Sequence, residues 1–172
     1  LGDLIRITGF HHSAPTFTYR YRRGILLNLV NEKTTEYHTL TALSQTLERW
    51  LGDAGTACEY SVAADFADGV GQYTFYVEFQ SPLAATHDLQ AAGQLLDEAL
   101  GEVNEFYRLN GRIPHRLAPA QFKLVQAGTF AALGRLQLSR SGGLTPLQLK
   151  IPRVVQDAEQ RQLLDAHAVS PT

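Results

Sequence analysis

Between Gln72 and Gln80 the chain alternates strictly, so that Tyr73, Phe75, Val77 and Phe79 fall on one side of an extended strand. Three aromatic rings and a valine on one face need a matching apolar layer, which restricts the fold to a sheet covered by helices or by a second sheet. The preceding stretch, Glu59 to Phe66, has strand composition and is joined to it through Asp68-Gly69, a hairpin signal. Helical stripes lie on both sides of this pair in sequence. Leu40, Leu43, Leu47 and Trp50 recur at helical spacing after the polar run Asn31–Thr35 and stop at Gly52. From Thr86, beyond the break at Ser81-Pro82, Leu89, Ala92, Leu95, Leu96, Ala99, Val103, Phe106 and Tyr107 mark one long stripe that ends at Asn110-Gly111.

The flanks complete the pattern. Leu4–Phe10 and Thr16–Arg22 read as strands around a turn at His11–Pro15, and Gly24 permits a reversal into a strand at Ile25–Val30. Pro119–Gln126 reads as a short strand, and Gly128-Thr129 opens a helix to about Leu138. Ser141-Gly142-Gly143 is a hinge, Leu147–Val155 is extended, and Gln156–His167 is helical. The expected class is α+β: a ferredoxin-like β-α-β-β-α-β core with an N-terminal β arm and a C-terminal helical extension.

Composition narrows the function classes. The 172 residues carry a net charge of −2, with 44% apolar and 19% charged residues, which suits a packed core and offers no global basic field for nucleic acid or anionic membrane. One cysteine, Cys58, excludes an internal disulfide and fits a reducing, cytoplasmic setting. No apolar run spans a bilayer. The chain has no methionine and begins Leu1-Gly2-Asp3, so an excised internal segment is expected.

Motif by motif, most chemistry is absent. Neighbouring His11 and His12 on an extended segment point to opposite faces, and His38, His87, His115 and His167 are isolated, so no metal is expected. Gly69-Val70-Gly71 has threonine where a dinucleotide fingerprint needs its third glycine, and Ser139–Gly143 lacks the lysine of a phosphate loop. Arg20-Tyr21-Arg22-Arg23 interleaves base and aromatic as single-stranded RNA platforms do, but a solvated strand edge has the same composition. Lys150 stands out. It is one of three lysines against twelve arginines, placed after the Ser-Gly-Gly hinge and before Pro152-Arg153, where its ammonium can reach a phosphate or carboxylate in a cleft. An ordinary surface lysine meets the same description.

Taken in order, the segments resemble the C-terminal part of the auxin-responsive (Gretchen Hagen) acyl-acid amido synthetases. Leu1–Phe10 looks like the end of their Y-R-x-G-D-x-x-x-x-x-G-F motif. The likeness continues in His11–Pro15, Arg22–Leu27, Glu59-Tyr60-Ser61 with Asp65, Gly71-Gln72-Tyr73, Ala127–Phe130 and Gln148–Val154. The resemblance implies a mobile lid on a larger ATP-dependent ligase, in which an acid is adenylated and its acyl group passes to an amine such as an amino acid. Residues 1–10 would form the hinge and the end of the adenylate-binding motif, and 11–172 one C-terminal mobile domain.

It further implies that Asp3 binds the ribose hydroxyls of the nucleotide and that Lys150, in a Q-[YF]-K-x-P-R segment, approaches the phosphates as a catalytic group. ATP and Mg2+ would serve the full-length enzyme, with none held tightly by this chain alone. The partners would be the N-terminal adenylation domain, an acyl acid and an amino acid, with no nucleic acid and no membrane. His12, Gln72 and Leu149 depart from the family's usual asparagine, histidine and aromatic. The arginine bias and alanine-rich helices suggest a GC-rich bacterial gene. The competing reading is a ferredoxin-like regulatory or interaction module without a catalytic role.

Overall fold

The computed structural model describes residues 3–22, 26–52, 58–81, 83, 88–111, 113–140 and 150–169. Its centre is the hairpin of β5 (Cys58–Ala67) and β6 (Val70–Phe79), paired antiparallel in unbroken register from Cys58 opposite Phe79 to Ala67 opposite Val70. Asp68 (φ 51°) and Gly69 (φ 80°) make the reversal; two successive positive φ angles match the right-handed twist of the strands. Parallel strands flank this pair. β7 (Gln121–Leu124) lies beside β6, and β8 (Val154–Val155) beside β5, giving the order β7-β6-β5-β8.

Helices cover both faces. On one, α1 (Glu36–Leu51) and α2 (Leu89–Val103) set Leu43, Leu47, Ala92, Leu96, Ala99 and Leu100 against Tyr73, Phe75, Val77 and Phe79. The alternation in sequence thus marks the face toward α1 and α2, as expected. On the other, α4 (Thr129–Arg140) and α5 (Ala158–Ala166) bring Phe130, Leu133 and Leu164 onto Tyr76, Ala63 and Val155. Tyr76 is therefore fully buried, although it lies on the opposite side of the strand from the row Tyr73, Phe75, Val77 and Phe79. Its hydroxyl donates to Asp165 Oδ1 at 2.8 Å, which satisfies the one polar atom such a ring brings into the core.

The helix ends carry their own signals. Thr35 and His38 form a reciprocal capping box on α1, and Gly52 (φ 77°) closes it. Asp88 and Asp157 cap α2 and α5. Glu78, reaching from β6, accepts from the Gly128 and Phe130 amides at 2.6 and 2.7 Å and so caps α4 from the sheet.

The α+β class, with a β arm first and a helix last, is what the structure has. Three details differ from expectation. The strand expected at Ile25–Val30 is not in the main sheet: β3 (Leu26–Leu27) pairs with β4 (Thr34–Thr35) in a ladder of its own. Buried Glu32 folds back to accept from the Leu29 and Val30 amides at 2.6 and 2.7 Å, using donors that a longer strand would give to a neighbour. Second, the long helix after Thr86 is two: α2 ends at Asn104 (φ −134°, ψ 101°) and α3 (Glu105–Gly111) restarts. Phe106, expected on the apolar stripe, is exposed, whereas Tyr107 is buried and donates to Asp97. Third, the buried face of α1 is Thr39, Ala42, Leu43, Thr46 and Leu47, which leaves Leu40 exposed.

β1 (Asp3–His11) and β2 (Ala14–Arg22) form the arm, turning at His12-Ser13. Thr86, Gly24 and the Ser141-Gly142-Gly143 hinge lie outside the described residues.

Candidate functional site

Lys150 begins the last described segment, whose course is set by β5. Ser61 Oγ donates to the Pro152 carbonyl at 2.6 Å, and the Val62 amide to the Arg153 carbonyl at 2.8 Å. Val154 and Val155 then run parallel to Val62 and Ala63. The Arg153 guanidinium lies 4.6 Å from the centre of the Tyr60 ring, and its Nη1 donates to Glu59 Oε2 and to the Tyr60 carbonyl, both at 2.9 Å. Tyr60 is itself immobilised: it is buried and stacked on Phe75 with the rings 12° from parallel.

Lys150, Ile151, Arg153, Glu59 and Glu36 line an open cleft of about 380 Å³. Glu36 comes from the first turn of α1, where an acid complements the helix dipole. Glu59 is engaged by Arg153. Lys150 is exposed, and among the described residues no carboxylate is in ion-pair contact with it. An ammonium group in such a place can meet an anion brought by a ligand or a docking surface. Of the two residues singled out in sequence, Lys150 lies in the cleft. Asp3 stands on β1 opposite Arg22, and of Asp3 only the backbone is described. Glu36 was missed: Thr35-Glu36 reads as a helix start, and nothing local says that it also faces Lys150.

The other candidates resolve differently. His12 takes φ 54° in the arm's turn, so the His11 and His12 rings meet edge to face at 4.6 Å rather than pointing apart as an extended segment would set them. Among the described residues no three His, Cys, Asp or Glu side chains gather as metal ligands. The side chains of Arg20, Tyr21 and Arg22 lie outside the described residues, as do Arg23 and Gln148-Leu149. Among the described residues no helix is long and apolar enough to cross a membrane.

Comparison with known proteins gives one consistent result. The model of the GH3 family C-terminal domain matches residues 37–159. An indole-3-acetic acid-amido synthetase of Arabidopsis thaliana is 33% identical over 99% of this chain, and one of Oryza sativa subsp. indica is 28% identical over 99%. The chain spans 28% of the length of each. Among solved structures, an acyl acid amido synthetase, GH3.15, superposes with a TM-score of 0.85 at 26% identity, over 99% of this chain and 31% of that one. The same synthetase in complex with 2,4-DB superposes at 0.83. These relatives include plant proteins, so the bacterial origin suggested by the arginine bias gains no support. With well over half of its length matched by the family model, and with the same fold as a solved member, the chain belongs to the GH3 family and corresponds to its C-terminal domain.

Proposed function

We propose that this domain is the mobile lid of an ATP-dependent acyl-acid amido synthetase acting in the cytoplasm, which activates a carboxylic acid and passes its acyl group to an amine such as an amino acid. The observation that carries the reading is Lys150: an exposed ammonium on a segment pinned to the sheet edge, in a cleft open to whatever docks there. A carboxylate is a poor electrophile, and ATP supplies the leaving group that makes it reactive. Lys150 would neutralise phosphate charge as that exchange proceeds. Asp3 would accept hydrogen bonds from the nucleotide ribose. Magnesium would arrive with ATP, held by its phosphates, by water and by one or two carboxylates rather than in a dedicated cage. Closure of the lid would exclude the water that hydrolyses a mixed anhydride.

The partner is the larger N-terminal adenylation domain of the same polypeptide, and the arm offers it a surface. Ile5, Ile7 and Phe17, the last in register with Ile7, share one face of the ribbon and are 47%, 57% and 58% exposed. A two-stranded ribbon is marginal alone, so an apolar face of this size calls for cover. The acid and the amine are small molecules bound mainly by that body. The related synthetases named for indole-3-acetic acid make an aryl or alkyl acid the first substrate class to try.

In the full-length enzyme, Lys150→Ala slows adenylation, measured as pyrophosphate exchange, by about a hundredfold. Amide formation from preformed adenylate stays within a few fold. Equal losses in both steps would remove Lys150 from the phosphate role and favour a lid that only covers the site.

A further inference from the structure

The Lys150 segment joins the sheet through only two strand residues, Val154 and Val155. So short an edge strand holds its neighbours weakly, and a lysine four residues upstream would ordinarily sample many positions. Arg153 changes this. Its guanidinium closes three contacts at once: the Glu59 carboxylate, the Tyr60 carbonyl and the face of the Tyr60 ring. All three partners belong to β5, and Tyr60 is buried against Phe75, with its hydroxyl 3.4 Å from Thr39 Oγ1 on α1. The Arg153 carbonyl accepts from the Val62 amide at 2.8 Å. Both ends of Arg153 are therefore tied to one rigid strand, three residues from Lys150.

We propose that Arg153 is a positioning residue, a latch that holds the Lys150 segment on β5 and so sets where the Lys150 ammonium stands in the cleft. The proposal rests on the assignment of Lys150 to the adenylation step. Arginine is required for it. A planar guanidinium donates N–H groups at its edge while its flat face lies over a ring, whereas a lysine ammonium is a compact point charge with no face to lay on Tyr60. Glu59 serves both structures, since it pairs with Arg153 and lines the cleft beside Lys150.

The test uses the full-length synthetase and two independent readouts. Amide hydrogen exchange reports the latch; single-turnover adenylation and amide transfer report its consequence. Arg153→Gln raises exchange at Val62 and Val155 by about tenfold while Phe75 in the centre of the sheet stays protected. It slows adenylation by about tenfold or more, with amide transfer nearly unchanged. Arg153→Lys keeps the charge and fails to restore either. In the background of Lys150→Ala, Arg153→Gln costs adenylation nothing further, because the group it positions is gone. Unchanged exchange in Arg153→Gln refutes the latch. Losses that multiply in the double variant show that Arg153 acts without Lys150 and overturn the proposal.

If Lys150→Ala alone leaves adenylation intact, the underlying assignment falls and takes the positioning role with it, whatever the exchange data show. Should Arg153→Gln fail to fold, Glu59→Gln removes the ionic partner alone. Both readouts then shift in the same direction by about threefold, and no shift in either overturns the proposal.

Discussion

Asn104 makes four side-chain hydrogen bonds, and Asn104→Ala tests how α2 and α3 are tied to the segment before α1. Its Nδ2 donates to the Glu32 carbonyl and to Thr34 Oγ1, both at 2.9 Å, while its Oδ1 accepts from the Phe106 and Tyr107 amides at 3.1 and 3.3 Å. One amide thus ends the ladder of α2, starts α3, and ties both to the loop before α1. Alanine removes the cap of α3, worth about 1 kcal/mol. It also leaves the carbonyl of fully buried Glu32 without this donor, which costs about 1–3 kcal/mol. The sum, about 2–4 kcal/mol, lowers the urea midpoint by about 1–2 M at an m-value near 2 kcal/mol/M.

The single tryptophan, Trp50, packs 5.4 Å from Phe122 and 6.5 Å from Phe79, so its fluorescence follows the same core. Asn104→Asp separates the two contributions. It keeps the acceptor for the α3 amides but turns a carboxylate toward the Glu32 carbonyl, and it destabilises at least as much as alanine. A loss below about 0.5 kcal/mol for Asn104→Ala, the ordinary scatter of surface changes, would refute the account of the helix break.

The remaining predictions use the same unfolding assay. Gly128 has φ 86° with nothing within 4 Å of where a Cβ would stand, so Gly128→Ala costs about 1–2 kcal/mol from backbone strain alone, and asparagine costs less. Burial pushes the Asp165 carboxyl up, but hydrogen bonds from Lys123 and Tyr76, with the charges of Lys123 and Arg161, outweigh it and hold the group below the usual aspartate range. A lowered folded value stabilises above the unfolded value of about 3.9 and is lost as pH falls through the folded one. Acidification below about pH 4 therefore unloads this contact, and Tyr76→Phe shrinks the pH-dependent part. Tyr107→Ala costs about 3–5 kcal/mol, whereas Phe106→Ser stays within about 0.5 kcal/mol. The reverse order would restore the continuous stripe expected from sequence.

The elements legible in sequence are those whose causes are local. Alternation and Asp68-Gly69 specify the β5–β6 hairpin, and Thr35 and Gly52 bound α1. What escaped has causes far along the chain. The break at Asn104 is made by partners at Glu32 and Thr34, some seventy residues earlier. Glu32 itself is a fully buried acidic side chain, satisfied by two amides and the Tyr73 hydroxyl, and no periodicity announces such a polar group in a core. The second buried face of β6 depends on α4 and α5 docking from beyond residue 128, so Tyr76 and Thr74 could not be told from solvent-facing residues by their place in the alternation.

The candidate site divides the same way. Lys150 was visible because lysine is rare here and because its neighbours resemble a family motif; what holds it in place was not. Its support comes from Glu59, Tyr60 and Ser61, about ninety residues upstream, and each of the three has an ordinary local reading as a strand residue. Yet the three are consecutive, and together they hold a consecutive pair: Glu59 and Tyr60 contact Arg153, and Ser61 contacts Pro152. The two segments lie side by side just ahead of the point where β8 pairs with β5. β7 and β8 lie at opposite edges of the sheet, and β8 takes the β5 edge, with Lys150 just outside the pairing. The cleft beside Lys150 thus follows from that placement: Pro152 and Arg153 stay against β5 ahead of the ladder, and Lys150 lies beyond them next to the first turn of α1, where Glu36 stands.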